Sequence, residues 1–177
     1  MKLGEHEMKS NQSVADEIRK YMNYIYLILF AGITMWYYLY STVLEYKYPY
    51  ALYLGLRYAL MAYVLVSIAL VVWQKQYSTV LEPVFMVLIL VSAGVVTYVV
   101  KDNAVFDFAL LLVGAKNVPW KRIAYVYLCI AVVIQGIAYY ASTTGIIADI
   151  TMQADRGVRH SLGIIYPTDM AAHMLFI

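Results

Sequence analysis

Arg156 and Arg159 stand three residues apart, with His160 beside them, in the polar run 155–173. Guanidinium groups suit phosphate and pyrophosphate, because their paired N–H donors engage two oxygens together. His160 and His173 can take or give a proton near neutral pH. In a helical turn the three-residue spacing puts both guanidiniums on one face, and Asp155, four residues before Arg159, can brace it. Gly157 and Gly163 relax the backbone. Tyr166 followed by Pro167 imposes extended chain, and Thr168 or Asp169 can cap the next helix. The run therefore presents two guanidiniums just before a rigid re-entry into apolar sequence. The same residues would also serve as a solvated loop among lipid headgroups, and residue type alone leaves both readings open.

The elements that must position this run are membrane spans. The chain has 177 residues, 63% hydrophobic and 14% charged, with a mean hydropathy of +0.68. A soluble domain is nearer half apolar and a quarter charged. The apolar residues fall in blocks of about twenty, the length that crosses a hydrocarbon core. They are continuous rather than alternating, which excludes barrel strands. The expected fold class is all-α, a polytopic integral membrane helical bundle of five to six transmembrane segments, incomplete at the C-terminus. Spans are expected at about 21–43, 50–73, 81–100, 102–118, 122–146 and 162–177. They follow a polar tail over 1–20 and include an external loop over 147–161. Ser13 with Asp16 and Glu17 resembles a helix start. Pro83 is tolerated in a first turn, where no donor is needed. The 19 tyrosines read almost entirely as interfacial belt residues, ring in the apolar zone and hydroxyl in water.

Residues 104–114 are the ambiguous piece, because eleven helical residues reach only about half the core. The segment either extends to 102–118 and crosses, or is re-entrant. If it crosses, one side holds Lys2, Lys9, Arg19, Lys20, Lys75, Lys116, Lys121 and Arg122, against Lys47, Lys101, Arg156 and Arg159 on the other. If it does not, the bias narrows. Positive-inside asymmetry favours the crossing, with a cytosolic N-terminus and run 155–169 outside.

Within the spans, Arg57 lies seven residues beyond Tyr50, about 10 Å along a helix. It can snorkel to the interface or act as an intramembrane cation for an anionic ligand. Asp107 can pair with Lys101 or face a watery cleft. Glu82 suits a helix start. Lys116, Trp120, Lys121 and Arg122 read as an inner-face anchor. The single cysteine, Cys129, lies in an apolar run and reads as a small hydrophobe. There is no zinc spacing, no Gly-rich phosphate loop and no cleavable secretory signal. Basic residues are scattered among short loops, so the net charge of +2 says little about nucleic acid, and none is expected as a partner.

The pattern Arg156-x-x-Arg159-His160-Ser161-Leu162-Gly163, then Tyr166-Pro167-Thr168-x-x-Ala171, resembles the signature of Wzy-type polysaccharide polymerases. These are the O-antigen, capsule and exopolysaccharide polymerases of bacteria, related to the O-antigen ligases. The form here looks most like the Gram-positive exopolysaccharide branch. The match is specific over 155–173 and generic elsewhere. Thr168 stands where the family commonly has Asn, and the family has more spans, so the chain looks like the N-terminal portion of such an enzyme. The resemblance implies glycosyl transfer at the bacterial plasma membrane without metal, cofactor or nucleotide sugar. The donor would be a glycan on undecaprenyl diphosphate and the acceptor another lipid-linked repeat unit. It further implies catalytic roles for Arg156, Arg159 and His160, substrate contacts from Arg57, Tyr166 and His173, and association with membrane lipids, a flippase and a chain-length regulator.

Two other readings fit the same spans. One is a non-catalytic membrane protein, such as a lipid-linked glycan transporter subunit, in which lysine would replace either arginine without loss. The other is an inactive polymerase remnant.

Overall fold

The computed structural model describes residues 2–42, 50–73, 79, 81–147, 151–154, 157–160 and 162. The chain is an all-α membrane helical bundle. Its helices are α1 (Lys2–Tyr40), α2 (Tyr50–Trp73), α3 (Leu81–Val100), α4 (Ala104–Gly114) and α5 (Trp120–Thr143). A 3₁₀ turn, Ala115–Asn117, follows α4, and two short strands, β1 (Thr151–Ala154) and β2 (Gly157–His160), follow α5. Among the described residues four helical stretches are long and apolar enough to cross a bilayer: Glu17–Tyr40, Tyr50–Trp73, Leu81–Val100 and Trp120–Thr143. Their outward residues are largely apolar; on α3, Val84, Leu88, Val91, Val95 and Val99 are all exposed. Lipid tails accept such side chains as readily as a protein core does. The expected sixth segment, 162–177, lies outside the described residues except for Leu162.

Helix α5 runs Trp120–Thr143 where 122–146 was expected, and α1 differs from the sequence reading at both ends. Helix α1 begins at Lys2 rather than near Ser13. No proline interrupts 2–20, and Lys, Glu, Met, Gln and Ala are good helix formers, so the tail continues the first span. Helix α1 also stops at Tyr40. There the Ser41 and Thr42 hydroxyls donate to the carbonyls of Tyr38 and Leu39, each at 2.8 Å, satisfying acceptors that a helix end leaves open.

The chain divides into two units. The first comprises Met1–Phe30 and Gly55–Trp120. Its centre is the antiparallel pair α3–α4. Lys101 adopts φ 62° and its N–H bonds Thr97 O at 2.9 Å, ending α3 as a left-handed cap does. The Asp102 carboxylate then accepts the Ala104 N–H at 2.9 Å, which starts α4. At the opposite end Lys116 Nζ lies 2.9 Å from Glu82 Oε1, in the first turn of α3. Eleven α-helical residues and three 3₁₀ residues rise about 22 Å, and the lysine side chain covers the remainder. Segment 102–118 therefore returns along α3 to the level where α3 began. Val118 is extended (φ −99°, ψ 129°), as a residue before proline tends to be, and this separates the 3₁₀ turn from α5.

The C-terminal end of α4 is buried, and its carbonyls need donors that lipid cannot provide. Tyr26 Oη donates to Leu111 O at 2.8 Å, and Tyr63 Oη approaches Gly114 O at 3.5 Å. Gly114 allows this approach. A β-carbon there would sit 3.0 Å from Tyr26 Cε2 and 3.3 Å from Tyr63 Cε1.

The second unit comprises Ala31–Leu54 and Lys121–Ile177. Tyr38, Ala131 and Ile134 form its core, with Leu39, Tyr127 and Ile130 packed against it. The Tyr38 hydroxyl donates to that of Tyr127 at 2.7 Å. Trp36 stacks on Tyr53, with ring centroids 5.1 Å apart. Tyr26, Tyr38, Tyr53 and Tyr63 are thus buried, which corrects the expectation that nearly all tyrosines form the interfacial belt. Each sits where a hydroxyl acceptor or a ring partner exists inside the protein. Helix α5 ends on Gly145 at φ 75°, and Ile146 N–H reaches Ala141 O at 2.9 Å, a glycine-capped terminus.

Candidate functional site

Three places gather the residues that could do chemistry. The first lies inside the first unit. Arg57 Nε is 3.0 Å from Asp107 Oδ1; the Asp107 side chain is fully buried and that of Arg57 is 16% exposed. The guanidinium also lies over the Phe106 ring, 5.6 Å from its centroid. The two atoms of the pair are not aligned for a linear hydrogen bond, so charge holds the contact. Removal of either partner from such a buried pair costs about 3–5 kcal/mol, because it leaves the other charge uncompensated.

This geometry corrects the expected Asp107–Lys101 pair. Lys101 instead places its ammonium 4.9 Å from the centroid of the Tyr98 ring, at the interface end of α3. Nor does Arg57 simply snorkel; it turns toward α4. A signal for the pair existed in the sequence. Opposite charges at similar depth, seven residues below the start of one span and a turn below the start of another, are expected to find each other in an apolar medium.

The second place is the Glu82–Lys116 contact. Lys116 was expected in the anchor with Trp120, Lys121 and Arg122. Those three residues are exposed at the start of α5, whereas Lys116 turns inward and is 15% exposed. A neighbouring carboxylate outcompetes the headgroup zone for this lysine. Cys129 does not pack inward; it is exposed on α5.

The third place follows α5. Strands β1 and β2 form an antiparallel hairpin with Thr151 opposite His160, Met152 opposite Arg159, Gln153 opposite Val158 and Ala154 opposite Gly157. The loop expected over 147–161 thus contains a ladder. The helical turn that would have put Arg156 and Arg159 on one face is replaced, around Arg159, by strand. β-Branched Thr151 and Val158 favour the pleated backbone, and the Ala154–Gly157 pairing leaves two residues between the strands, a common hairpin length. Arg159 and His160 are the last two residues of β2, and His160 is exposed. Arg156, Tyr166 and His173 lie outside the described residues. Among the described residues no group of three or more His, Cys, Asp or Glu side chains could hold a metal ion.

In comparison with known proteins, no family model, no curated protein and no solved structure matches the chain.

Proposed function

We propose that the chain is a bacterial cell-surface polysaccharide polymerase, or the N-terminal part of one, which joins repeat units carried on undecaprenyl diphosphate. The observation that carries this reading is the Arg156-x-x-Arg159-His160 run, placed directly after a membrane span and before a Tyr166-Pro167 re-entry. The β1–β2 ladder supports it by giving Arg159 and His160 a regular backbone, which orients a site better than loose loop does.

In the proposed reaction a hydroxyl oxygen of the acceptor sugar attacks the anomeric carbon of the donor glycan. The carbon–oxygen bond to the diphosphate breaks with inversion. His160 takes the hydroxyl proton. Arg156 and Arg159 hold the departing diphosphate and stabilise its growing charge with fixed donors. The N-terminus is cytosolic and the hairpin external, where flipped lipid-linked units arrive; a flippase and a chain-length regulator are the expected neighbours. The α3–α4 pairing supports this sidedness, because a returning 102–118 segment is the arrangement that charge asymmetry favours.

The test is complementation of a polymerase-deleted strain with the full chain and with Arg159→Lys. Loss of polymer in the variant supports bidentate diphosphate binding, since lysine keeps the charge and loses the fork. Normal chain lengths with lysine would leave the non-catalytic transporter-subunit reading in its place.

A further inference from the structure

We propose that Thr151 and His160 form one subsite that receives two adjacent hydroxyls of the acceptor sugar, with Thr151 setting which ring is accepted. The inference deepens the polymerase reading and rests on it for the acceptor and for His160 as the group that takes the proton.

The hairpin register makes these residues a pair. Thr151 begins β1, His160 ends β2, and the two stand directly opposite one another. Directly opposed strand residues share a face of the ladder, with β-carbons about 4.5–5.5 Å apart. Both residues are exposed, so a ligand can approach both from one side. Alternation along a strand assigns position 159 to the face opposite position 160. Thr151 therefore belongs with the proton acceptor and not with the arginine assigned to the diphosphate.

The two side-chain types divide the work. A neutral imidazole has one nitrogen that accepts, which suits the proton of the attacking hydroxyl. A threonine hydroxyl has one donor and two lone pairs, so it can both give to and take from a neutral sugar hydroxyl. Hydroxyls on neighbouring ring carbons are close enough to be met together by two opposed short side chains, the attacking one at His160 and its neighbour at Thr151. The substrate class is then an acceptor sugar with a free hydroxyl beside the one that attacks. The pleat alone does not select threonine here, since valine serves a strand equally well. Because both residues are exposed, water replaces a lost contact, and discrimination is worth one net hydrogen bond rather than a buried unpaired group.

The probe is the repeat-unit oligosaccharide released from the lipid on which it accumulates in a polymerase-deleted strain. Half of it is oxidised with periodate and reduced with borohydride, which cleaves the carbon–carbon bond of each adjacent diol. The full chain, in detergent, is titrated with either form, with binding read by native mass spectrometry. Wild type is expected to bind the intact form about fivefold or more tightly than the cleaved one, as one lost hydrogen bond requires. Thr151→Val keeps the β-branched shape and is expected to weaken binding of the intact form by about the same factor. Thr151→Ser returns the hydroxyl and is expected to restore it. His160→Gln keeps a hydrogen-bonding side chain and is expected to bind the oligosaccharide while making no polymer. A valine variant that binds as wild type overturns the proposal. So does a serine variant as weak as valine, or a wild type that does not distinguish the two forms. Thr151-dependent binding in a chain that fails complementation retains the sugar subsite and removes the polymerase. Normal polymer in a strain carrying Thr151→Val, with unchanged binding, retains the polymerase and removes the subsite.

Discussion

Lys116, just past the end of α4, reaches Glu82 in the first turn of α3 at 2.9 Å, so the two helices are joined at both ends: by the Lys101–Asn103 turn at one and by an ion pair at the other. This contact brings segment 102–118 back along the length of α3. Under the proposed topology that segment crosses, and the piece shortest in sequence would then decide the side on which everything after it emerges.

Cysteine accessibility checks that consequence. In a Cys129→Ala background, which removes the exposed native thiol, Asp102→Cys and Trp120→Cys are expected to label from opposite faces of the membrane. Both positions are exposed. With a cytosolic N-terminus, Asp102→Cys reacts in intact cells and Trp120→Cys only after permeabilisation. Labelling of both from one face would show that α4 does not cross. Val158→Cys is expected to label with Asp102→Cys.

Arg57 and Asp107 are expected to behave as a coupled pair. Arg57→Gln alone leaves a buried carboxylate, and Asp107→Asn alone leaves a buried guanidinium; each should cost about 3 kcal/mol. The double variant should cost clearly less than the sum, with a coupling of about 1 kcal/mol or more. Unfolding in mixed micelles measures all four species. Strict additivity would mean that the two charges do not interact.

Gly114 and Gly136 should respond oppositely to added side chains. At Gly114 a β-carbon meets Tyr26 at 3.0 Å, and that ring is held by its bond to Leu111 O. Gly114→Val should destabilise by about 1–3 kcal/mol through overpacking. At Gly136, in the middle of α5, nothing lies within 4 Å. Gly136→Ala should be neutral or stabilising by up to about 1 kcal/mol, because alanine loses less backbone entropy in a helix. Thermal melts of the two variants compare directly, and equal losses would contradict the packing around α4.

Tyr38 and Tyr127 share a hydroxyl–hydroxyl bond of 2.7 Å in the core of the second unit. Tyr38→Phe should cost about 1 kcal/mol, and Tyr127→Phe a similar amount, since each leaves the other hydroxyl without its partner. The double phenylalanine variant should recover part of that loss. A double variant at the sum of the singles would indicate that the hydroxyls are satisfied elsewhere.

The spans were legible because they depend on chain-local quantities. Runs such as 50–73 and 81–100 are long enough and apolar enough to cross wherever their neighbours lie, and α2 and α3 match those bounds. The hairpin was not legible, because Gly157, Val158 and Arg159 read equally well as turn, loop or strand until Thr151 and Met152 come opposite His160 and Arg159. The tail was misread for a related reason: Ser13 looks like a cap, but a cap matters only where the preceding residues leave the helix, and here they continue it.

Sequence by itself determined the solvent of this protein and the number of residues available to each span, since the cost of apolar surface in water and of bare backbone in lipid attaches to each segment alone. Tertiary structure decided which charges meet. Arg57 could have answered to water, Asp107 to Lys101 and Lys116 to a headgroup. The fold chose Arg57 with Asp107 and Lys116 with Glu82 because an ion pair depends on distance in space, and residues this far apart in sequence acquire that distance only when α2, α3 and α4 pack together.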